Sequence, residues 1–342
     1  MAQYADFIPQ NVAPKTAKRI GVYNENGERL FSIPIGHLAF RPAGDKLYSF
    51  GALADVHLQY GDAPKDFSRA LQYLNDAEKV AFTCVCGDLT GEGTNDQLAQ
   101  YQQYVDTYSP NTPVYSIAGN HECWTDDIEH RIEAYTGKPL YYSFTHGNDV
   151  FIMVGLANDD EGNLFAEGEL QWLYETLEAN RNKRCFVFEH VRPQDGCGNA
   201  YGIYEYDIWG GTEAEVFESL MSHYHNVILF HGHSHLRFGL QTATNKANYD
   251  NIFGCHSVHI PSIYSPRTGD STGPGSREDL TAESEGYVVD VYKNGIHLKG
   301  RDFENEEFLP IASYWLDTAL QTIPAGTYTD STGTINGTCI IT

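Results

Sequence analysis

The chain has 342 residues, of which 22 are basic and 46 acidic, so its formal net charge is −24 at pH 7. This charge repels DNA and RNA backbones at long range and disfavours a nuclease or another partner of nucleic acid polymers. No apolar run approaches the ~20 residues that a membrane-spanning helix needs, so we expect no membrane segment.

The first 45 residues predict a small β-hairpin ahead of the main domain. Two strand-like runs, Arg19-Ile-Gly-Val-Tyr23 and Glu28-Arg-Leu-Phe-Ser-Ile33, flank an Asn-Gly turn. A lone hairpin is too small to fold by itself. We therefore expect it to pack on the main domain or to mediate assembly, which makes oligomerisation a possible role.

Five short apolar runs follow, and each leads into a polar motif. The runs are residues 47–54, 80–86, 114–118, 184–189 and 227–230. Such runs are typical of strands that are buried on both faces of a sheet. The motifs are Asp55-Val-His57, Gly87-Asp88, Gly119-Asn120-His121-Glu122, His190 and Gly232-His233-Ser-His235. Taken singly, most such motifs are turns or helix caps, but their series at strand ends favours one shared site.

Helical patterns lie between these strands. Apolar side chains repeat at helical spacing at Phe67, Ala70, Leu71 and Leu74, and again at Leu98, Tyr101, Val105 and Tyr108. The alternation of strands and helices predicts an α/β layered domain. In such sheets ligands bind outside the carboxyl ends of the strands, where all the polar motifs fall.

The side chains of these motifs are metal ligands by type. Carboxylate, imidazole and amide oxygen suit divalent ions such as Mn, Fe or Zn. Two ions held ~3.5–4 Å apart can clamp the attacking and leaving oxygens of an in-line displacement, and they need a bridging ligand. Asp88 is the natural bridge, because a carboxylate offers one oxygen to each ion. We therefore expect two divalent metal ions as cofactors.

The order of the motifs, over residues 46–303, resembles the calcineurin-like metallophosphoesterases. The resemblance implies a sandwich of two sheets flanked by helices, with a dinuclear centre at the strand ends. It implies a first metal bound by Asp55, His57, Asp88 and His235, and a second bound by Asp88, Asn120, His190 and His233. His121 is similar to the catalytic histidine of the family. One departure is that the family often has an Asp after the strand ending at Val154, where Gly155 and Leu156 follow here.

The predicted reaction is hydrolysis of a phosphate ester by a hydroxide that bridges the two metals, with His121 assisting the departing oxygen. A phosphodiesterase acting on a small nucleotide-like ester is slightly favoured by the Gly- and Pro-rich loop after Ile260, and a phosphomonoesterase is the alternative. Tyr264 and Arg267 in this loop are candidate substrate-binding residues, since Arg can bind phosphate bidentately. A third possibility is a structural or assembly protein that retains a low-turnover metal site.

These patterns divide the chain into a hairpin extension (1–45), a metallophosphoesterase domain (46–305) and a C-terminal extension (306–342). A second hairpin is predicted around Lys-Asn-Gly at 293–295, and the Thr- and Gly-rich end from Ile323 predicts a strand pair or a frayed tail.

Seven cysteines, several of them within apolar strands, are typical of small buried hydrophobes rather than of a disulfide framework. Their odd number favours a reducing compartment. The amino terminus shows no signal peptide, so the expected location is cytoplasmic.

Overall fold

The computed structural model describes residues 45–160, 163–192, 197–198, 212–224, 226–240, 247–252, 255–267 and 283–318. Beyond these ranges it describes the backbones of four strands, β1 (Arg19–Tyr23), β2 (Arg29–Pro34), β15 (Gln321–Asp330) and β16 (Gly333–Ile341).

The first large sheet has six strands. They are β3 (Tyr48–Leu53), β4 (Thr83–Cys86), β5 (Val114–Ile117), β12 (Glu285–Tyr292), β13 (Gly295–Asp302) and β14 (Glu307–Asp317). Their order across the sheet is β14-β13-β12-β3-β4-β5. The strands β3, β4 and β5 run parallel to one another, whereas β12, β13 and β14 form antiparallel pairs. The parallel strands therefore present their carboxyl ends at one edge.

The second large sheet also has six strands. They are β6 (Tyr142–His146), β7 (Asp149–Met153), β8 (Cys185–Phe188), β9 (Val227–His231), β10 (Tyr249–Ile252) and β11 (Cys255–His259). Their order is β10-β11-β9-β8-β7-β6. The central strands are parallel, and the two edge strands are antiparallel to their neighbours.

Helices cover the outer faces of the sheets. They are α1 (Ala63–Gln72, followed by a π-helical turn at Tyr73–Glu78), α2 (Asn95–Tyr108), α3 (Asn120–Cys123), α4 (Ile128–Thr136), α5 (Glu169–Ala179) and α6 (Thr212–His223). The predicted apolar faces of α1 and α2 are buried against the first sheet, as shown by Phe67 and Tyr101, whose rings stack at 5.4 Å. The predicted α/β layered fold, with two mixed sheets flanked by helices, is confirmed.

The core between the sheets is built of phenylalanine side chains from both of them. Phe50 of β3 makes edge-to-face contacts, with centroid distances of 5.2 Å, with Phe151 of β7 and Phe186 of β8. Such aromatic pairs add directional packing to the burial of apolar area. They hold the carboxyl ends of the two sets of parallel strands in a fixed relation.

The terminal strands pair within themselves. β1 and β2 are antiparallel, with Arg19 opposite Pro34, and the residues of the predicted Asn-Gly turn lie outside the described part. β15 and β16 also form an antiparallel pair. Because β14 continues the first sheet to Asp317, it extends past residue 305, and the division of the chain into three parts stays a prediction. Within the described residues, no helix has the length and apolar character needed to cross a membrane.

Arg184 links the two sheets at the end of β8 that is remote from the polar motifs. Its guanidinium binds the Asp149 carboxylate of β7, with Nε at 3.1 Å from Oδ1. It also donates to the carbonyl oxygen of Tyr292, at 2.9 Å, in the other sheet. Both charged side chains are buried. The pair therefore joins the sheets where water does not screen it.

We expect Arg184→Met to lower the free energy of unfolding by about 3–5 kcal/mol, because it leaves the buried Asp149 carboxylate without its cation. Urea denaturation would measure the loss. The matched control is Arg181→Met, which removes a half-exposed ion pair with Glu178 and should cost less than about 1 kcal/mol. Equal, small losses in both variants would show that Arg184 does not brace the sheets.

Candidate metal centre

The polar motifs meet at one place, where the carboxyl ends of β3, β4 and β5 face those of β8 and β9. Backbone hydrogen bonds tie neighbouring loops together within each sheet, and a bond to the Asp55 side chain joins the loops of the two sheets. His57 N donates to Asp88 O at 2.9 Å, and Gly232 N donates to His190 O at 3.0 Å. His233 N donates to the Asp55 carboxylate at 3.1 Å. These hydrogen bonds fix the positions of the loops without the help of a bound ligand.

The backbone is strained at many of these side chains. Asp55, His57, Asp88, His233 and His235 all have positive φ, between 45° and 70°. Residues other than glycine rarely adopt this left-handed region, and each instance costs on the order of 1–3 kcal/mol. The concentration of such residues at one spot indicates that the fold sustains strain in order to direct these side chains inward.

Glycine allows two of the loops to approach closely. A Cβ atom on Gly119 would collide with the backbone nitrogen and carboxylate of Asp88. Gly87 has φ of +78°, and a Cβ there would collide with the ring of His190. The glycines that precede Asp88 and Asn120 are therefore steric requirements of the site.

Two overlapping groups of side chains could each hold a metal ion, since the ligand atoms within each group lie within 4.8 Å of one another. The first group is Asp55, His57, Asp88 and His235, and the second is Asp88, His190 and His233. Asp88 belongs to both groups, with its Oδ2 at 3.2 Å from His190 Nε2 and 3.6 Å from His57 Nε2. The structure thus brings six of the seven predicted ligands together, and their role as metal ligands stays a prediction.

Asn120 lies beside the second group, at the start of α3. Its side-chain oxygen is buried and has no hydrogen-bond partner among the described residues. A buried amide oxygen without a partner is costly, and a cation would satisfy it. Its position is consistent with the predicted role as a ligand.

The histidine rings are oriented as in metal sites. His190 Nδ1 lies 2.8 Å from the carbonyl oxygen of Cys86, and His235 Nδ1 lies 3.2 Å from that of Ser265. Because a carbonyl can only accept, each Nδ1 donates, and the lone pair of a neutral ring is then on Nε2, which faces the cluster. Metal-binding histidines characteristically have such a partner for the second ring nitrogen.

Burial and charge control protonation within the cluster. Burial lowers the pKa of His57 to about 3, so this ring is neutral at neutral pH. Burial also acts to lower the pKa of His190, but the Asp88 and Asp55 carboxylates outweigh it and raise this pKa to about 10. In the same way His190 and His57 hold the pKa of Asp88 well below its usual range despite its burial. The cluster therefore attracts a positive charge, and its donor types fit divalent ions of intermediate hardness.

His121 lies next to both groups but belongs to neither. Its Nδ1 is 2.7 Å from the carbonyl oxygen of Gly91, to which it donates. Its Nε2 is 3.9 Å from Asp88 Oδ2, and its ring is 4.4 Å from that of His57. The side chain is partly exposed. It can therefore reach a substrate placed at the cluster.

A pocket of about 220 Å³ opens over the cluster. Its walls are His57, Tyr60, Asp88, Asn120, His121, His233, His235, Tyr264 and Arg267. The candidate substrate residues Tyr264 and Arg267 thus lie in the wall. Their loop is bonded to the metal-site loops, through Tyr264 N to Asp55 O at 3.2 Å and Arg267 N to His235 O at 2.7 Å.

Sequence reasoning assigned no role to Glu122 or Tyr60. The buried Glu122 carboxylate accepts hydrogen bonds from Gly119 N at 2.9 Å and from Thr90 N at 2.9 Å, so it ties the second and third motif loops together. Tyr60 stacks on His57 with the centroids 5.6 Å apart. Glu122 closes the third motif, just after the predicted ligand Asn120, and Tyr60 lies shortly after His57, so proximity to the predicted ligands is the signal that could have found them.

Gly155 stands where the family often has an Asp, and the packing around it gives a steric reason. A Cβ at this position would lie 2.5 Å from the carbonyl oxygen of Leu140. The next residue, Leu156, is buried and donates its backbone N–H to Ala118 O at 3.1 Å. The segment therefore packs against the third motif loop without contributing a carboxylate.

Two solved structures have a similar fold. Purple acid phosphatase PPD1 from yellow lupin (Lupinus luteus) seeds is 14% identical, with a TM-score of 0.54 over 87% of this chain and 59% of that chain. GAP50, the anchor in the inner membrane complex of Plasmodium, is 14% identical, with a TM-score of 0.53 over 80% of this chain and 89% of that chain. This chain therefore spans only 59% of the lupin protein. At this identity the likeness concerns the fold alone.

No curated protein is significantly similar to this chain in sequence. Residues 48–237 match the family model of the calcineurin-like phosphoesterases. The match includes all the polar motifs and more than half of the 342 residues. The chain belongs to the calcineurin-like phosphoesterase family.

Proposed function

We propose that this protein is a metal-dependent phosphoesterase that binds two divalent ions. The observation that supports this most is the pair of ligand groups that share Asp88. Asp55, His57, Asp88 and His235 would hold one ion, and Asp88, Asn120, His190 and His233 the other. Their mixed carboxylate, imidazole and amide donors suit Mn, Fe or Zn.

Bound ions of this kind polarise a phosphoryl group and acidify water to give the nucleophile. The side chains of the chain provide the remaining functions. His121 donates from Nδ1 to Gly91 O, so a proton carried on Nε2 is directed toward the pocket. That proton can pass to the leaving oxygen as the ester bond breaks. Glu122 holds the loop that carries His121 against the loop that carries Asp88.

Arg267 and Tyr264 are proposed to bind the substrate. Arg267 brings a guanidinium to the pocket wall, where it can bind a phosphoryl oxygen or a second anionic group. A pocket of about 220 Å³ suits a small phosphate ester. We favour a nucleotide-like diester over a monoester, and the charge of −24 disfavours polymeric nucleic acid.

Elemental analysis of protein purified without chelator should find close to two metal ions per chain, because two ligand groups are present. The same preparation, assayed with Mn, should hydrolyse at least one member of a panel of p-nitrophenyl phosphate, bis-p-nitrophenyl phosphate and cyclic nucleotides. Which ester reacts fastest decides between monoesterase and diesterase. A metal content near zero after reconstitution with Mn or Zn would refute the proposed centre.

The second candidate function is that of a structural or assembly protein. It is favoured by the fold likeness to GAP50, which is described as an anchor and is matched over 89% of its length. The β1–β2 and β15–β16 pairs offer strands beyond the two large sheets for such contacts. This candidate requires full metal content with no turnover on any ester in the panel, together with a stable partner or self-association in solution.

A reducing compartment, such as the cytoplasm, is also proposed. The cysteines of the described residues are free, and most of them are buried. Burial raises the pKa of Cys84 and Cys86, which keeps these thiols protonated and unreactive. Thiol titration of the denatured, freshly isolated protein should find them reduced, and a stable disulfide there would contradict the proposal.

A further inference from the structure

Trp124 is an exposed indole held in a fixed position next to His121. Half of its surface (51%) is accessible to solvent. Its Nε1 donates to Asp159 Oδ2 at 2.7 Å, and its ring lies 3.8 Å from the His121 ring, at an angle of 33°. An exposed aromatic ring with a fixed orientation presents a flat apolar surface at small entropic cost.

Trp124 lies on the side of the pocket where the leaving group of the proposed reaction would be. His121 is the residue proposed to act on the leaving oxygen, so the group attached to that oxygen must leave the pocket past His121. Trp124 is the neighbour of His121, whereas Tyr264 is a neighbour of His57, at a centroid distance of 5.9 Å. The leaving group would therefore meet the indole, and Tyr264 would meet another part of the substrate.

The charge around Trp124 limits what the leaving group can be. Asp126 and Asp127 follow it in the chain, Asp159 binds its Nε1, and Thr125 Oγ1 donates to the carbonyl oxygen of Glu92. The Asp159 carboxylate at the indole, with Asp126 and Asp127 close by in the chain, disfavours a second phosphate or a carboxylate. A neutral planar ring would stack on the indole without such repulsion.

We propose that Trp124 forms a subsite for a leaving group that carries a neutral aromatic ring, such as a nucleoside or an aryl alcohol. The inference deepens the proposed phosphoesterase function and, as far as turnover is concerned, rests on it. Binding of the aromatic alcohol itself does not require turnover, so the two can be tested separately.

The first measurement compares two substrates in the Mn-loaded protein, adenosine 5′-monophosphate and glycerol 3-phosphate. Stacking of a base on an aromatic ring contributes on the order of 1–3 kcal/mol, which is about 5- to 150-fold. Trp124→Leu should raise KM for the nucleotide by roughly tenfold or more and leave KM for glycerol 3-phosphate within about twofold. Trp124→Phe should fall in between. The matched control is Trp172→Phe. Trp172 lies on α5, where its ring packs on Tyr141, and its replacement should change neither KM value.

The second measurement uses binding alone. Adenosine should quench tryptophan fluorescence in the wild type and in Trp172→Phe, and glycerol should not. Trp124→Leu should lose the quench while keeping its metal content and thermal melting curve. Trp124 is half exposed, so we expect this variant to fold.

Equal changes for the nucleotide and glycerol 3-phosphate in Trp124→Leu would overturn the inference, because Trp124 would then act only by supporting His121. Absence of any Trp124-dependent binding of adenosine would also overturn it. If adenosine binds through Trp124 but no ester is hydrolysed, Trp124 is a binding site for a neutral aromatic ring, and both its leaving-group role and the proposed enzymatic function fail.

Discussion

Asp88→Asn should abolish metal binding and phosphoesterase activity together. Asp88 is the residue common to both ligand groups, and its carboxylate supports the positive charge at His190. Asparagine tolerates the left-handed backbone at this position, where φ is 50°, so the loop should keep its path. The loss should exceed the roughly 10–100-fold decrease that removal of an outer-shell partner of a metal ligand typically causes.

Asp55→Asn is the matched control for this experiment. Asp55 has the same side chain and a similar φ of 54°, but it belongs to the first ligand group alone. It should weaken one metal and leave the other in place. Metal content per chain, turnover of bis-p-nitrophenyl phosphate and the thermal melting curve would be measured for both variants. If Asp88→Asn keeps both metals and near-normal turnover, Asp88 is not the bridging ligand.

His121→Ala should leave both metals and the fold in place while slowing the hydrolysis of esters with poor leaving groups. His121 belongs to neither ligand group, and its Nε2 is the atom available to protonate the leaving oxygen. General acid catalysis typically contributes ~10²–10⁴-fold, so an alkyl ester should lose about this much. p-Nitrophenol leaves readily without a proton, so its esters should lose little.

The series of leaving groups also separates the other roles of His121. An equal loss for every ester would indicate that His121 stabilises charge instead of donating a proton. Loss of metal would mean that it is a ligand. His130→Ala is a suitable control, because His130 is an exposed histidine paired with Asp127 and should be replaceable without effect on any ester.

Local sequence was sufficient for the five strands that lead into the polar motifs and for the residue types of the site. The apolar run at 114–118, for example, corresponds to β5 at Val114–Ile117, because a continuous apolar run is stable only where both faces of a strand are covered. The run at 80–86 starts earlier than β4, which begins at Thr83. Val80 and Phe82 are buried without belonging to the strand. The apolar pattern therefore predicts which residues are buried but not which of them pair with a neighbouring strand.

The roles of individual residues depended more on the tertiary structure. His190 is a single histidine with no motif around it, and it becomes part of the site because its ring is directed by Cys86 O of a strand in the other sheet. Trp124 is an ordinary aromatic residue in the sequence. Only the contacts with His121 and Asp159 show that it is held beside a residue of the pocket wall.

The sequence by itself determined which donor groups follow which strands, because both the apolar runs and the polar motifs are local features of the chain. The tertiary structure decided which of these donor groups lie close to one another. β4 and β8 lie in different sheets, and the distance of 3.2 Å between Asp88 and His190 depends on how the aromatic core packs those sheets together. It depends also on left-handed backbone at Asp88 and on the absence of a side chain at Gly87 and Gly119, whose consequences appear only when the loops are in contact.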